Sequence, residues 1–388
     1  MMKTVRVNAK GAKRLREFFP WVYKSDILTP LDFEPGELVE ARDEQGKLLA
    51  KGYINPHSTI AFRALSYKDE PITKRLLKSK ILRAAAKRVK VDTNACRIIH
   101  SEADFLPGLV VDRYVDYLSV HFQTAGMVRF KEDIVALLQD IFEPKGIYIK
   151  GDRYLPQKEK VPSFEEIIGT IPPKVVIQEQ GIKFYVDILH SQKTGFFLDQ
   201  RKNRQIVTNY IKPKTRVLDC FSNTGGFGLY ARVKKQANVR LVDISQEAIE
   251  MAKENFALNE VSGEFVVANV FDYLRELRKQ KERFDMIILD PPSFAKSKAK
   301  KSTALKGFKD ITVNAMKLLN KEGMIALFSC SHHIGIEDLR KVLVEAAKDT
   351  TKMVEVVEHM YQDIDHPYIL NNEFSLYLTG LLCKVEDL

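Results

Sequence analysis

Four short stretches of the chain carry residue types whose spacing suits chemistry. In FSCSHH (328–333), Cys330 follows the apolar run GMIAL, so it stands where a buried strand should end, beside a serine and two histidines. A cysteine there is a metal ligand, a nucleophile or core filling. Cys330, His332 and His333 crowd into four positions with no second cluster, whereas a structural zinc site wants two separated ligand pairs, so a metal is disfavoured. Core filling is the serious competitor, because free cysteine is commonly buried, and Cys220 and Cys383 are read that way. In LDPPSF (289–294), two prolines remove two backbone donors and fix the chain direction. Asp290 is thereby expected to point beyond the strand end, with Phe294 available to stack on a planar ring. A rigid strand exit with a capping aspartate reads equally well. In LDCFSNTGGFG (218–228), Gly225, Gly226 and Gly228 permit a tight turn and close approach to a ligand, and Asp219 is placed to accept from an amine. The spacing is not G-x-G-x-x-G, so a dinucleotide pyrophosphate, and with it a dehydrogenase, fits poorly. Asp243 ends the next strand about twenty residues on, where an acid suits a ribose diol.

These groups need a scaffold that brings strand ends together. From about residue 186 the pattern is regular β-α alternation: RVLDCF, VRLVDI, EFVVA, FDMIILD and GMIALFSC read as strands separated by amphipathic helices. KMVEVVEHM and FSLYLTGLLCKV have no helix between them, so they should pair antiparallel. A parallel sheet with helices on both faces and an antiparallel edge is predicted, with ligands bound beyond the carboxyl ends of its strands. Cys330 and Asp290 end neighbouring strands and should open into one crevice. Residues 1–70 read as β-rich, with GELVEARDEQGKLLAKGYI as two strands around DEQG and STIAFRAL as a third. Residues 71–185 read as α+β. They include a basic helix over 72–90 with Ile72, Leu76, Ile81, Ala85 and Val89 at helical spacing, one helix over MVRFKEDIVALLQDIF, and a hairpin through EQG. The expected divisions are therefore 1–70, 71–185 and 186–388.

Charge is unevenly placed. The formal net charge of +10 lies wholly within residues 1–90, which hold 20 basic and 10 acidic residues. ITKRLLKSKILRAAAKRVK (72–90) has eight basic residues and no acidic one. A solvated helix face is the ordinary reading of such a run. Without acids to balance it, a polyanion partner is preferred, and a membrane surface is disfavoured because the apolar side lacks aromatics. The four cysteines lack pairing spacing and read as reduced thiols of a cytoplasmic protein. Neither a signal-peptide core nor a membrane-length apolar run is present in the sequence.

VLDCFSNTGGFG, DPPSF and SCSHH together resemble class I S-adenosylmethionine-dependent methyltransferases. With QKTGFFLDQRKNR (192–204), the chain resembles more narrowly the PUA-domain family of 23S (large-subunit) ribosomal RNA cytosine-5 methyltransferases. GELVEARDEQGKLLAKGYINPHSTIAFRAL is similar to that family's PUA domain, and EADFLPGLVVDRY to its middle domain. The resemblance implies an α/β fold: a small β-barrel-like PUA domain (1–70), an α+β middle domain (71–185) and a Rossmann-like methyltransferase domain (186–388). It implies S-adenosyl-L-methionine as cofactor, no metal, ribosomal RNA as partner and a homodimer. Gln192, Lys193, Thr194 and Gly195 would approach the methionine end of the cofactor. Asp219, Phe221, Ser222, Thr224, Gly225 and Gly226 would hold its amino-acid part, Asp243 and Ile244 its ribose, Asn269 and Val270 its adenine, with Asp290 bordering the site. Asn269 replaces the aspartate that the family often has, and residues 149–169 lack the family's arginine-rich strand and EGL turn.

The same resemblance gives Cys330 a task. Cytosine carbon 5 is a poor nucleophile, and a thiolate adding to carbon 6 corrects this. Asp290 would stabilise the charge shift at ring nitrogen 3, and a thiolate at neutral pH calls for a lowered pKa. Pro291, Pro292, Phe294, Lys296 and Lys298 would border the target base and its phosphates, while Lys74, Arg75 and Lys78 would serve the wider RNA footprint. Ser293 stands where many RNA cytosine methyltransferases carry a second cysteine. Two other functions remain open at this point. One is methylation of an exocyclic amine or ring nitrogen of a purine, for which DPPSF suffices and no thiol is needed. The other is a non-catalytic RNA-binding assembly factor that kept the cofactor pocket.

Overall fold

In the computed structural model, which describes residues 2–88, 91–190, 195–295 and 297–388, the first sheet runs β1 (Lys3–Arg6), β3 (Glu37–Arg42), β4 (Leu48–Ile54), β5 (Ile60–Ser66), β2 (Trp21–Tyr23). An antiparallel bridge between Val7 and Ile27 joins its two edges, so the sheet nearly closes on itself. Val5, Val39, Ala41, Ile54 and Phe62 fill the interior together with Ala12 and Leu15 of helix α1 (Ala9–Arg16). That helix lies in the stretch read as β-rich. Asn8 starts it by accepting from the Gly11 amide.

A second sheet has the order β10 (Glu165–Gly169), β9 (Gly146–Gly151), β8 (Tyr117–Phe122), β7 (Leu109–Tyr114), β6 (Ala95–His100). Its apolar face packs on α2 (Lys74–Ala86) and α4 (Lys131–Phe142) through Leu77, Ile81, Ala84, Ile134 and Leu138. The buried stripe of α2 is thus Leu77, Ile81 and Ala84, one position round from the expected face through Leu76, and Val89 lies outside the described residues. The single helix expected from Met127 is two, α3 (Ala125–Arg129) and α4, divided at Phe130. The two sheets share one compact unit, comprising 1–177, 186–198 and 364–375. The Tyr53 ring fills the place where a side chain on Gly126 would stand, 2.1 Å from such a Cβ, and its hydroxyl donates to the Pro107 carbonyl at 2.7 Å. Buried Glu159 accepts from Asn55 at 2.8 Å. These contacts satisfy polar groups that burial would otherwise penalise.

The second unit comprises 178–185, 199–363 and 376–388, and so takes in most of a hairpin of β11 (Val175–Glu179) and β12 (Ile182–Val186). Its seven-stranded sheet has the order β15 (Glu264–Val267), β14 (Asn238–Asp243), β13 (Arg216–Cys220), β16 (Phe284–Leu289), β17 (Leu319–Ser329), β19 (Thr379–Asp387), β18 (Lys352–Tyr361). The first five are parallel, and β19 pairs antiparallel with both β17 and β18. Helices α5 (Arg201–Asn209), α6 (Gly226–Lys235), α7 (Gln246–Leu258), α8 (Val270–Lys279), α9 (Lys301–Met316) and α10 (Ile336–Thr350) connect and flank the strands. Both faces of the central strands are covered, which is why they read as near-continuous apolar runs rather than alternating ones. The last strand begins at Thr379 rather than Phe374, because Glu373–Ser375 form a 3-10 turn. Among the described residues, no cysteine is in a disulfide.

Candidate active site

Chain order reverses beside β13: β14 lies on one side of it and β16 on the other. Such a switch point opens a crevice beyond the carboxyl ends. Asp219 is the penultimate residue of β13 and is almost wholly buried. Its Oδ2 accepts from the Gly228 amide at 2.8 Å. Burial pushes its carboxyl up to about 7, against the lowering influence of that hydrogen bond and with a further push from Asp290 and Asp243.

The turn that follows is tight. Phe221 and Asn223 have φ of 59° and 47°, and Gly225 has φ of 85°. An L residue at Gly225 would be strained, and its Cβ would lie 2.8 Å from Leu241. Asp243, at the end of β14, accepts from the amides of Asn223 at 2.9 Å and Ser245 at 3.0 Å, so it ties the turn to the next strand end. Buried Asn255 of α7 holds the turn from behind, donating to the Thr224 carbonyl at 2.9 Å and accepting from the Tyr185 amide at 2.7 Å. Gly226 packs against the buried Arg204 side chain, whose guanidinium is paired with Glu179 at 2.7 Å. Ile244 is 69% exposed, while Val270 is buried. Asn269 caps α8 by accepting from the Phe271 amide at 2.9 Å, which leaves its amide nitrogen as the group to donate.

The exit of β16 contains Asp290, buried Pro291 and exposed Pro292. Asp290 Oδ2 accepts from Gln200 Nε2 at 3.0 Å. Cys330 follows β17 directly, and its thiol meets the Pro291 carbonyl at 3.9 Å. Register explains the meeting: Leu289 pairs with Leu327, so the two chain exits run on side by side. Ser331 fastens them further by donating to the Ala295 carbonyl at 3.1 Å. The His332 ring lies 6.0 Å from Tyr377, whose hydroxyl donates to Asp199 at 2.7 Å.

Phe294 was expected to be free for stacking on a substrate. Instead its ring is in an aromatic cluster with Phe308 at 5.1 Å, Phe271 at 5.8 Å and Phe221 at 6.3 Å, partly buried against the core. The ring thus packs the strand exit. The lysine-rich segment also differs from a plain loop. Lys298–Lys300 form a 3-10 turn, α9 starts at Lys301, and Lys301 pairs with Asp338 at 2.8 Å. Lys296, the side chain of Lys298, and Gln192, Lys193 and Thr194 lie outside the described residues. Gly195 belongs to the first unit, beside Tyr114, with φ of 133°. In that unit, the basic run is not without acids. Lys74 pairs with Asp133 at 3.3 Å and Lys78 with Asp140 at 2.6 Å, both supplied by α4. Arg75 is exposed between them.

Five residues of the second unit's site escaped the sequence reading: Gln200, Asn203, Asn255, Asp199 and Tyr377. The first two and Asp199 stand in the QKTGFFLDQRKNR stretch. Asn255 carried a weaker signal, as a polar residue on the inward side of an otherwise apolar helix face.

A sheet with this reversal, a glycine turn at its first strand and acids at the ends of the next strands defines a nucleoside-binding transferase fold of the methyltransferase type. Comparison with known proteins agrees. Residues 5–67 match the family model of a PUA-like domain, and residues 152–371 match that of the S-adenosylmethionine-dependent methyltransferases. The ribosomal RNA large subunit methyltransferase I of Tolumonas auensis is 37% identical over 397 residues, covering 99% of this chain and all of that protein. Its Vibrio cholerae counterpart is 39% identical over 386 residues, covering 96% and 97% of the two chains. Among solved structures, the methyltransferase SMU.776 complexed with SAH superposes with a TM-score of 0.87 over 99% of this chain at 21% identity, a likeness of fold. The chain belongs to the S-adenosylmethionine-dependent methyltransferases, in the PUA-bearing family of ribosomal RNA large subunit methyltransferase I. The residues present fit that cofactor. The glycine turn leaves room against the backbone, and the buried Ser222 hydroxyl in it has no protein hydrogen-bond partner. A carboxylate whose charge is poorly solvated is also at hand to meet an ammonium group.

Proposed function

We propose that the chain methylates carbon 5 of a cytosine in large-subunit ribosomal RNA through a covalent Cys330 adduct. The observation that carries the reading is the pairing of Cys330 with the Asp290-Pro291 exit: a thiol and a carboxyl presented by adjacent strand ends beside the cofactor turn. A purine-amine methyltransferase has no use for that thiol.

Asp219 and the turn from Phe221 to Gly226 bind the amino-acid part of the cofactor, Asp243 and Ile244 its ribose, and Asn269 and Val270 its adenine. S-adenosylmethionine supplies an electrophilic methyl group on a sulfonium. The Cys330 thiolate adds its electron pair to cytosine carbon 6. The ring electrons shift through carbons 5 and 4 to nitrogen 3, which takes a proton from Asp290. Carbon 5 is then an enamine carbon and bonds the methyl group as the methyl–sulfur bond breaks, its electron pair remaining on sulfur as a neutral thioether. Loss of the carbon 5 proton to a base re-forms the 5,6 double bond, breaks the carbon–sulfur bond and releases the thiolate. Nitrogen 3 returns its proton to Asp290, and the net change is one methyl for one proton.

The PUA-like sheet and the basic helix α2 extend the RNA contact, and the site of action is the cytoplasm, where ribosomal RNA is found. The active form is a homodimer, which sedimentation at assay concentration tests. The reading is checked by incubating unmodified ribosomal RNA with methyl-labelled cofactor, digesting it and identifying the labelled nucleoside. 5-Methylcytidine is expected, and a methylated purine would refute the assignment.

A further inference from the structure

Asp290 has a task that a symmetric carboxyl performs badly. It must give a proton from one oxygen to ring nitrogen 3 and take it back, while the other oxygen stays out of the way. We infer that Gln200 is the positioning residue that makes the two oxygens of Asp290 unequal, an inference that rests on the proposed role of Asp290.

Gln200 is buried at the entry to α5. Its Nε2 donates to Asp290 Oδ2 at 3.0 Å, and its Oε1 accepts from Asn203 Nδ2 at 2.6 Å. Asn203, fully buried one turn along, occupies the carbonyl end of the Gln200 amide while the amino end faces the acid. An N–H held on Oδ2 has two effects. It keeps Oδ2 as an acceptor in both protonation states, which biases the exchangeable proton towards Oδ1. It also opposes rotation of the carboxyl by half a turn, because that would set the acid's O–H against the amide's N–H, donor against donor. Gln200 thus holds the acid in the orientation from which its proton reaches the base. Charge-assisted hydrogen bonds of this kind correspond to roughly ten- to a hundredfold in rate when lost.

Single-turnover methyl transfer to ribosomal RNA across pH 5.5–9.5 tests this, with cofactor affinity measured on each variant as the control for folding. Gln200→Ala should lower the rate about ten- to a hundredfold with cofactor binding changed less than about threefold. Gln200→Glu keeps the volume of the side chain and puts a second carboxylate beside Asp290. It should move the alkaline limb of the rate profile to higher pH, which a residue that only packs would not do. On an Asp290→Asn background the effect of Gln200→Ala should shrink severalfold or vanish. Full additivity in that cycle, or an unmoved limb in Gln200→Glu, would overturn the inference. The cycle reads coupling between two side chains, so its outcome is separable from the nucleoside assignment. A methylated purine from the unmutated protein would refute the proposed function while leaving the measured coupling to decide on Gln200.

Discussion

The Gly228 amide donates to Asp219 inside the sheet, and that single hydrogen bond is set against the desolvation of a nearly inaccessible carboxylate. Burial prevails, and the carboxyl rises from 3.8 to about 7. A raised acid favours the folded state in its protonated form. The stabilisation is complete below about pH 4 and is lost as the pH climbs through 7. The amount at stake is on the order of 4 kcal/mol. Asp219→Asn retains an acceptor for Gly228 and carries no charge. It should melt higher than the unmutated protein at pH 8, with a flatter dependence on pH between 5 and 8, and should bind cofactor at least tenfold more weakly. Thermal melts and calorimetric titration in parallel check both halves.

Cofactor affinity should itself depend on pH. An ammonium group beside Asp219 requires the carboxylate, so binding near neutrality displaces a proton. Affinity should rise several-fold from pH 6 to pH 8, and the calorimetric heat should vary with the ionisation enthalpy of the buffer. A buffer-independent heat would remove Asp219 from the amine.

Asn255, itself buried, satisfies two part-buried backbone groups that belong to different segments, the Thr224 carbonyl and the Tyr185 amide. Asn255→Ala leaves both without partners. It should cost about 2–4 kcal/mol in stability and weaken cofactor binding, although the side chain is no part of the binding surface. A urea titration and a cofactor titration on one preparation give both numbers.

The basic helix makes a graded prediction. Lys74 and Lys78 already have carboxylate partners, whereas Arg75 is exposed between them. Pairs this exposed are weak and screened by salt, so the lysines remain recruitable at a cost. Neutralising Lys74, Arg75, Lys78 and Lys80 together should weaken RNA binding and flatten its salt dependence. Replacing Asp133 and Asp140 by asparagine should tighten binding at low salt. An unchanged salt slope in the fourfold variant would remove this helix from the RNA footprint.

Much of this architecture was legible in the sequence. Parallel strands buried on both faces must read as apolar runs, and helices between them must repeat at 3.6, so the β-α alternation from residue 186 was plain. Asp219, Asp243, Asp290 and Cys330 were singled out because they stand at strand ends. The residues that hold them were not, since Gln200, Asn203 and Asn255 are polar side chains on helices or at their entries, and only tertiary packing shows that they face inward. The same limit explains the errors. Phe294 sits beside the site in sequence, yet its ring is taken up by Phe308, Phe271 and Phe221. The lysines of α2 looked unbalanced because their acids come from α4, more than fifty residues away along the chain. Helix α1 was missed because KGAKRLR has too few apolar residues to show a period.

The central claim is that Cys330 forms a bond to a cytosine ring, and fluorine at carbon 5 tests it most directly. A carbon–fluorine bond cannot lose its substituent as a proton, so the adduct that forms cannot collapse. Ribosomal RNA transcribed with 5-fluorocytidine, incubated with the protein and cofactor, should give a protein–RNA band that survives denaturation. Peptide mapping should place the link at Cys330, and Cys330→Ser should abolish it. A protein that methylates ordinary ribosomal RNA yet forms no such band, or that keeps near-normal turnover with Cys330→Ala, would contradict the account.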